Sequence, residues 1–187
     1  MGGLINGETM SHVSAGTEFI DQTELDLQAV DMACKELGLE LCRDVKTYHW
    51  FGRWVNDYHG ADAAYKVMDP ANFGKCKHMI RIAQTEKEKA QYEKNPSSRP
   101  YEIGLVEMPN GQLGFVFDHY GSGAKIAAKV GGKTCANLMT HITKNKVILT
   151  AATQAGHTIK RVEVLGQNKI HLVVGVKATD SLSRPKI

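Results

Sequence analysis

The sequence predicts an α+β fold in which an antiparallel sheet carries two helices on one face, in a ferredoxin-like arrangement. Three observations support this fold class: helical periodicity over residues 21–38 and 132–155, short runs of strand-like alternation, and tight-turn signals between consecutive runs. Strands joined by tight turns pair antiparallel, and two helices of similar length can cover one face of such a sheet. The other face is then expected to be wet or to meet a partner.

The first half of the chain opens with a predicted strand, SHVSAGTEFI, and a predicted helix. Asp21 followed by Glu24 fits a capping box, apolar residues recur at helical spacing, and Gly38 is a natural stop. Residues 39–51 are rich in strand-favouring side chains and are predicted as a strand. Residues 52–72 contain several breakers, which predicts an insertion at about 51–72 rather than a core element.

In the second half, KCKHMIRIA alternates as a half-buried strand does. The charged stretch QTEKEKAQYEKNPSSRP is predicted as an exposed loop or a short surface helix. Asn110-Gly111, between YEIGLVEM and LGFVFDHY, is the strongest hairpin signal in the chain. After the predicted helix 132–155, HTIKRVEVL and NKIHLVVGVKA are expected to pair as a closing hairpin.

The domain prediction is an extension at residues 1–9, a single domain at 10–178 and a flexible tail at 179–187. The 187 residues have an ordinary globular composition, 42% apolar and 23% charged. Because no window approaches the ~18 apolar residues of a membrane span and the start lacks the pattern of a signal peptide, we expect no membrane association and a cytoplasmic location. The four cysteines are scattered without a CxxC pair, which argues against a zinc site or a redox dithiol. No metal and no cofactor are predicted.

Charge is distributed unevenly along the chain. Residues 1–70 carry 5 basic and 12 acidic residues, whereas residues 71–187 carry 18 basic and 8 acidic ones. A surface of one sign attracts phosphate-rich ligands or acidic proteins. The alternative is a solvated basic face with no specific ligand.

The stretch KIAAKVGGKTCANLM resembles the end of a phosphate-binding loop, but position 127 is alanine where a Walker A loop needs its first glycine. An NTPase loop is therefore excluded. An anion site is still compatible with the sequence, because the predicted helix would begin near these glycines and expose free amides. The predicted ligand-binding residues, including two from the strand end before the glycines, are Lys125, Lys129, Gly131, Gly132, Lys133, Thr134, His119 and Tyr120. The alternative is a glycine-rich connection into an ordinary helix.

A second candidate surface is YHWFGRWVNDYHG, which holds both tryptophans of the chain. Aromatic rings beside arginine suit base stacking or a protein hot spot, so Trp50, Arg53, Trp54 and Tyr58 are predicted to bind a partner. The alternative is a small satellite core beneath the insertion.

Catalysis has little support in the sequence. No serine or cysteine lies in a nucleophile-elbow context, and no HExxH spacing occurs. Asp118-His119-Tyr120 would suit acid–base chemistry, but such a triplet is more often a hydrogen-bonded strand end. We therefore predict no catalytic residues and no enzyme.

The start Met10-Ser11-His12, the centre YEIGLVEMPNGQLGFVFDHYG and the ending AATQAGHTIKRVEVLGQNKIHLVV resemble an uncharacterised family of cyanobacterial, plastid and phage proteins. FGRWVNDY and GKCKHMIRI are similar to its phage-encoded branch. The resemblance covers about residues 10–177 and implies no catalytic residue set. It implies an accessory protein, in the host cytoplasm if phage-encoded, since members are often encoded near AAA+ ATPases.

These observations lead to the prediction of a non-enzymatic, phage-type accessory protein. It would act by binding a host protein or by sequestering a phosphate-bearing small ligand such as a signalling nucleotide. The alternatives are a nucleic-acid-binding module, which the basic region would suit, and a nucleotide-processing enzyme. A homo-oligomer is also expected, because an uncovered sheet face or edge strand invites pairing.

Overall fold

The computed structural model describes residues 13–50, 74–153, 157–164 and 170–176. The predicted extension 1–9, the insertion at about 51–72 and the tail 179–187 lie outside these ranges. Within them the chain forms seven strands and four α-helices in this order: β1 Val13–Ile20, α1 Glu24–Glu36, β2 Leu39–Cys42, β3 His78–Ile82, α2 Glu86–Lys94, β4 Ile103–Glu107, β5 Leu113–Asp118, α3 Ala124–Val130, α4 Ala136–Thr153, β6 His157–Val164 and β7 Ile170–Val176.

Five strands form one antiparallel sheet in the order β1-β5-β4-β3-β2, and β6 pairs with β7 in a separate two-stranded sheet. The prediction of an α+β fold built on an antiparallel sheet is confirmed. The ferredoxin-like arrangement is not confirmed, because α3 and α4 both follow β5 and the sheet is completed by β1 pairing with β5.

Helix α1 forms as predicted, but its cap differs. The N-cap is Thr23, whose hydroxyl accepts a hydrogen bond from the backbone N–H of Asp26. Asp21 lies two residues earlier and is not the cap. Gly38 follows the helix with a φ of 65°, a conformation that glycine adopts without strain.

The strand predicted for residues 39–51 is much shorter than expected, because β2 ends at Cys42. Asp44 then has a φ of 55°, which breaks the strand, and its backbone N–H donates to Nδ1 of His78 at 3.0 Å. The chain pairs again only through an isolated antiparallel bridge between Thr47 and Lys75. Residues 43–50 therefore cross the sheet as an irregular segment.

The hairpin predictions are confirmed. Strands β4 and β5 pair antiparallel around Asn110-Gly111, where Gly111 has a φ of 80° and its N–H donates to the carbonyl of Met108 at 2.8 Å. The closing hairpin is β6 with β7. The charged stretch after β3 forms the short surface helix α2, held by a capping box between Thr85 and Glu88.

The main core lies between the sheet and α1, α3 and α4, so three helices cover this face rather than two. Alternate residues of the central strands point into it, including Ile103 and Leu105 of β4 and Phe115 and Phe117 of β5. This alternation is what the period of a strand requires when one face is covered by helices.

The opposite face of the sheet is also partly covered. Tyr48 and Trp50, from the irregular segment, form a second buried cluster with Val106, Val116, Met79 and Met108. Tyr48 lies over Gly104, where a methyl group in place of the hydrogen would come within 2.5 Å of the ring. The expectation that this face is wet or meets a partner is therefore wrong for the part that the segment covers, because residues of the same chain pack there.

Some of the unevenly distributed charged residues pair with one another between helices α1 and α4. Lys146 of α4 lies 2.5 Å from a carboxylate oxygen of the buried Asp26 of α1. Lys144 lies 2.5 Å from Glu36, which His141 also contacts. Burial by itself would raise the pKa of Glu36. The hydrogen bonds from Lys144 and His141 outweigh burial, so the pKa of Glu36 is lowered. Acidic and basic halves of the sequence thus meet inside one molecule.

We predict that Gly104→Ala destabilises the protein by about 1–3 kcal/mol, because the added methyl meets the ring of Tyr48 in a packed cluster. Gly114→Ala is the matched control on the adjacent strand. There the added methyl meets the flexible end of Met108, so the loss should be smaller. Urea unfolding midpoints measure both, and equal losses would show that the approach of Tyr48 is not rigid.

The two lysine pairs should differ in their contribution to stability. We expect Lys146→Met to lower the free energy of unfolding by about 1–3 kcal/mol, because it leaves the buried carboxylate of Asp26 without its cation. Lys144→Met should cost less than about 1 kcal/mol, since Glu36 is 34% exposed and can be solvated. The reverse order in a denaturant titration would contradict this assignment.

Candidate functional site

The predicted anion site lies in a turn between two helices rather than in the first turn of one. Helix α4 begins at Ala136, not at residue 132, and Gly131 ends α3 in the left-handed conformation with a φ of 89°. The N–H of Gly132 donates to the carbonyl of Ala127 at 2.8 Å, which closes α3. Gly131 to Thr134 are exposed, but they form the end of one helix before they lead into the next.

The three lysines in and near this turn, Lys125, Lys129 and Lys133, differ in their contacts and exposure. Lys129 is half-buried and its ammonium donates to the carbonyl of Leu37 at 3.0 Å, at the end of α1. The pKa of Glu88 is lowered mainly by its hydrogen bonds from the N-cap of α2, and the charge of Lys125, exposed on α3, adds to this effect. Lys133 is exposed in the turn. An anion at this turn would therefore have to compete with the carbonyl for Lys129.

His119 and Tyr120 follow β5 directly. The ring of His119 meets that of Phe117 edge to face, with centroids 6.3 Å apart. Tyr120 is 64% exposed, and its N–H donates to the buried carboxylate of Asp118 at 2.9 Å. The triplet is a hydrogen-bonded strand end, and the binding role of its two residues stays a prediction.

Of the predicted partner-binding residues, Arg53, Trp54 and Tyr58 lie outside the described residues. Trp50 is 3% exposed and stacks near Tyr48, with ring centroids 6.2 Å apart. Burial gives Trp50 the role of a core residue, so its assignment to a contact surface is corrected.

The structure adds a groove that the sequence did not predict. Its volume is about 460 Å³, and it is shallow and open to solvent. It lies between the irregular segment after β2, the residues that lead into β3, and the end of β4. Its walls are Asp44, Val45, Lys75, Cys76, Lys77, Val106 and Glu107.

Backbone hydrogen bonds fix these three pieces of chain. The N–H of Cys76 donates to the carbonyl of Lys46 at 3.1 Å, and the N–H of Lys77 donates to that of Leu105 at 2.9 Å. Val45, Cys76 and Val106 give the groove an apolar part, and all three belong to or pack on the second cluster. The groove is therefore a preformed feature of the fold.

The charged groups of the groove differ in how far they are neutralised. Lys77 contacts Oε1 of Gln22 and lies 3.9 Å from Glu107. Lys75 is exposed and makes no ion pair with any described residue. The Asp44 carboxylate, 86% exposed, lies 4.0 Å from the Nδ1 of His78.

Two titratable groups beside the groove are held neutral. Burial raises the pKa of Cys76 to about 12, so its thiol stays protonated near neutral pH. Burial lowers the pKa of His78, which lets its Nδ1 accept the N–H of Asp44. Among the described residues, no group of three or more His, Cys, Asp or Glu side chains is placed to hold a metal ion.

Glu102, the most deeply buried carboxylate among the described residues, has a structural role. It accepts hydrogen bonds from the N–H of His49 at 2.6 Å and from Arg99 at 2.7 Å, while its own N–H donates to the carbonyl of His49 at 2.8 Å. Burial raises the pKa of Glu102 against the opposing effect of these donors. Glu102 thus connects the irregular segment 43–50 to the start of β4.

Comparisons with protein-family models, with curated proteins and with solved structures gave no match. In the described part of the chain, no helix has both the length and the apolar character needed to cross a membrane.

One sequence signal pointed toward the groove. The alternation in KCKHMIRI places Lys75 and Lys77 two residues apart, on the same side of an extended chain. Their proximity to Asp44 and Glu107 depends on contacts between distant segments, which the alternation does not contain.

Glu102 should make stability depend on pH. Because its folded pKa is raised above the unfolded value, its contribution is fully present below pH 4.5 and is lost as pH rises through the folded pKa. Relative to Glu102→Gln, the wild type should therefore lose stability as pH rises from about 4.5 toward neutrality. Unfolding midpoints across this range measure the difference, with Glu93→Gln on the exposed face of α2 as control. A constant difference between wild type and Glu102→Gln would refute the prediction.

Proposed function

We propose that the protein is a non-enzymatic binding protein that holds a small phosphate-bearing ligand, such as a signalling nucleotide, in the groove. The observation that carries the proposal is that two lysines, Lys75 and Lys77, lie beside the apolar part of one groove of about 460 Å³. This volume is within the range of small-ligand sites, and a few polar groups around an apolar surface are their usual composition.

Lys75 is the primary phosphate contact in this proposal. It is exposed, and no described carboxylate neutralises it, so its ammonium keeps its full charge for a ligand. Lys77 shares its charge with Glu107 at 3.9 Å and acts as a second, weaker contact.

The state of the nearby titratable groups supports binding rather than catalysis. The thiol of Cys76 is protonated, which makes it a poor nucleophile. His78 is buried and already uses Nδ1 to hold the backbone of Asp44. Both side chains therefore support the wall of the groove.

The resemblance to the phage-encoded Met-Ser-His family supports an accessory role, in which the protein withdraws its ligand from the host cytoplasm. Binding of a host protein and binding of nucleic acid are the competing outcomes. Salt distinguishes the latter, because affinity for arbitrary DNA or RNA falls steeply as salt is added.

We expect isothermal titration of the protein with nucleoside monophosphates to give a defined stoichiometry, and Lys75→Ala to weaken binding by roughly tenfold or more through loss of a charge-assisted hydrogen bond. Lys87→Ala is the control, since it removes an exposed lysine of α2 that lines no part of the groove.

Lys133→Ala separates the two candidate sites. If it abolishes binding while Lys75→Ala does not, the ligand lies at the turn after α3 and the groove assignment is wrong. If no monophosphate binds the wild type at millimolar concentration, the proposed function itself fails.

A further inference from the structure

We infer that the groove selects a guanine nucleotide, with Lys75 at the phosphate and the carboxylate of Asp44 at the base. This inference rests on the proposed function and deepens it by naming the ligand class. It starts from a feature that a simple phosphate site does not need, namely an exposed carboxylate in the wall.

The backbone of Asp44 is fixed by the fold, whereas its carboxylate is largely exposed. Among the described residues its charge acts on His78, whose pKa it raises against the stronger effect of burial. The backbone has a φ of 55°, and its N–H is held by the buried imidazole of His78. The side chain is 86% exposed and lies 4.0 Å from that neutral ring. The carboxylate is therefore available to a ligand in the groove.

The charges of the groove divide into one paired set and two available groups. Lys77 and Glu107 lie 3.9 Å apart and offset each other. Lys75, from the residues before β3, and Asp44, from the segment after β2, line the same groove with opposite charges. Because Asp44 repels a plain polyanion, a ligand that combines an anionic group with hydrogen-bond donors suits these two groups better than phosphate alone.

Guanine meets this requirement better than the other bases. Its N1–H and its exocyclic amino group are adjacent donors, and an ionised carboxylate accepts at both oxygens. Adenine presents one donor beside an acceptor nitrogen, which a carboxylate repels. The planar ring can lie on the apolar part of the groove formed by Val45, Cys76 and Val106.

The test is equilibrium binding of three probes, guanosine monophosphate, adenosine monophosphate and inorganic phosphate, to the full chain and to Asp44→Asn and Lys75→Ala. Asparagine tolerates the left-handed backbone and keeps the shape of the side chain, so Asp44→Asn should fold, as a thermal unfolding curve will verify. The change removes the charge and replaces one acceptor oxygen by an NH2 donor, so the side chain can no longer accept both guanine donors. If it does not, Asp44→Gly replaces it, because glycine accepts this φ without strain.

We expect the wild type to prefer the guanine nucleotide by roughly tenfold or more, the difference that one charged hydrogen-bond pair supplies. Asp44→Asn should remove this preference and bind inorganic phosphate at least as well as the wild type, because a repelling charge is lost, whereas Lys75→Ala should weaken all three probes. Equal affinity for both nucleotides, with phosphate still bound through Lys75, would overturn the guanine assignment and leave the proposed function standing. Failure of all three probes to bind would overturn the proposed function as well.

Discussion

The candidate site depends on one constraint, the packing of residues 44–50 against the face of the sheet that is opposite the helices. Tyr48 can reach the sheet only because Gly104 has no side chain beneath its ring. Glu102 then ties His49 to the start of β4 through two backbone contacts and accepts a hydrogen bond from Arg99. Without this segment the groove would lose one wall, and the second cluster would lose its two largest side chains.

The electrostatics of the molecule follow from packing rather than from composition. The acidic and basic halves of the sequence suggested a surplus of cations on one surface. In the structure, Lys144 and Lys146 neutralise acids of α1, and Lys129 binds a carbonyl at the end of that helix. The charges available for recognition are therefore fewer than the sequence implies, and Lys75 is one of them.

Local signals predicted much of the fold. Helix α1, the β4–β5 hairpin and the closing hairpin were found because periodicity and an Asn-Gly turn are properties of adjacent residues. Helix α3 was missed because its seven residues lie between glycines that resemble a loop. The cap of α1 was placed at Asp21 because the pattern also fits there, whereas Thr23 has the geometry to accept the N–H of Asp26.

The features that define the groove could not be predicted from patterns of neighbouring residues. The break after β2 occurs at Asp44, whose backbone is held by His78, a residue 34 positions away in the chain. Trp50 was predicted to be a contact residue because its neighbours are aromatic and basic, but it is buried by packing on the sheet. Both outcomes depend on packing between residues that are far apart in the chain, which the pattern of neighbouring residues does not contain.

Amide hydrogen exchange, measured residue by residue by NMR, tests the seating of this segment most directly. We predict that the N–H groups of His49, Cys76 and Lys77, which are bonded to Glu102, Lys46 and Leu105, are strongly protected and open only with the sheet. Exchange of these amides at the rate of an unstructured chain, while β4 and β5 remain protected, would contradict it. The segment would then not be fixed on the sheet, and the groove would not be preformed.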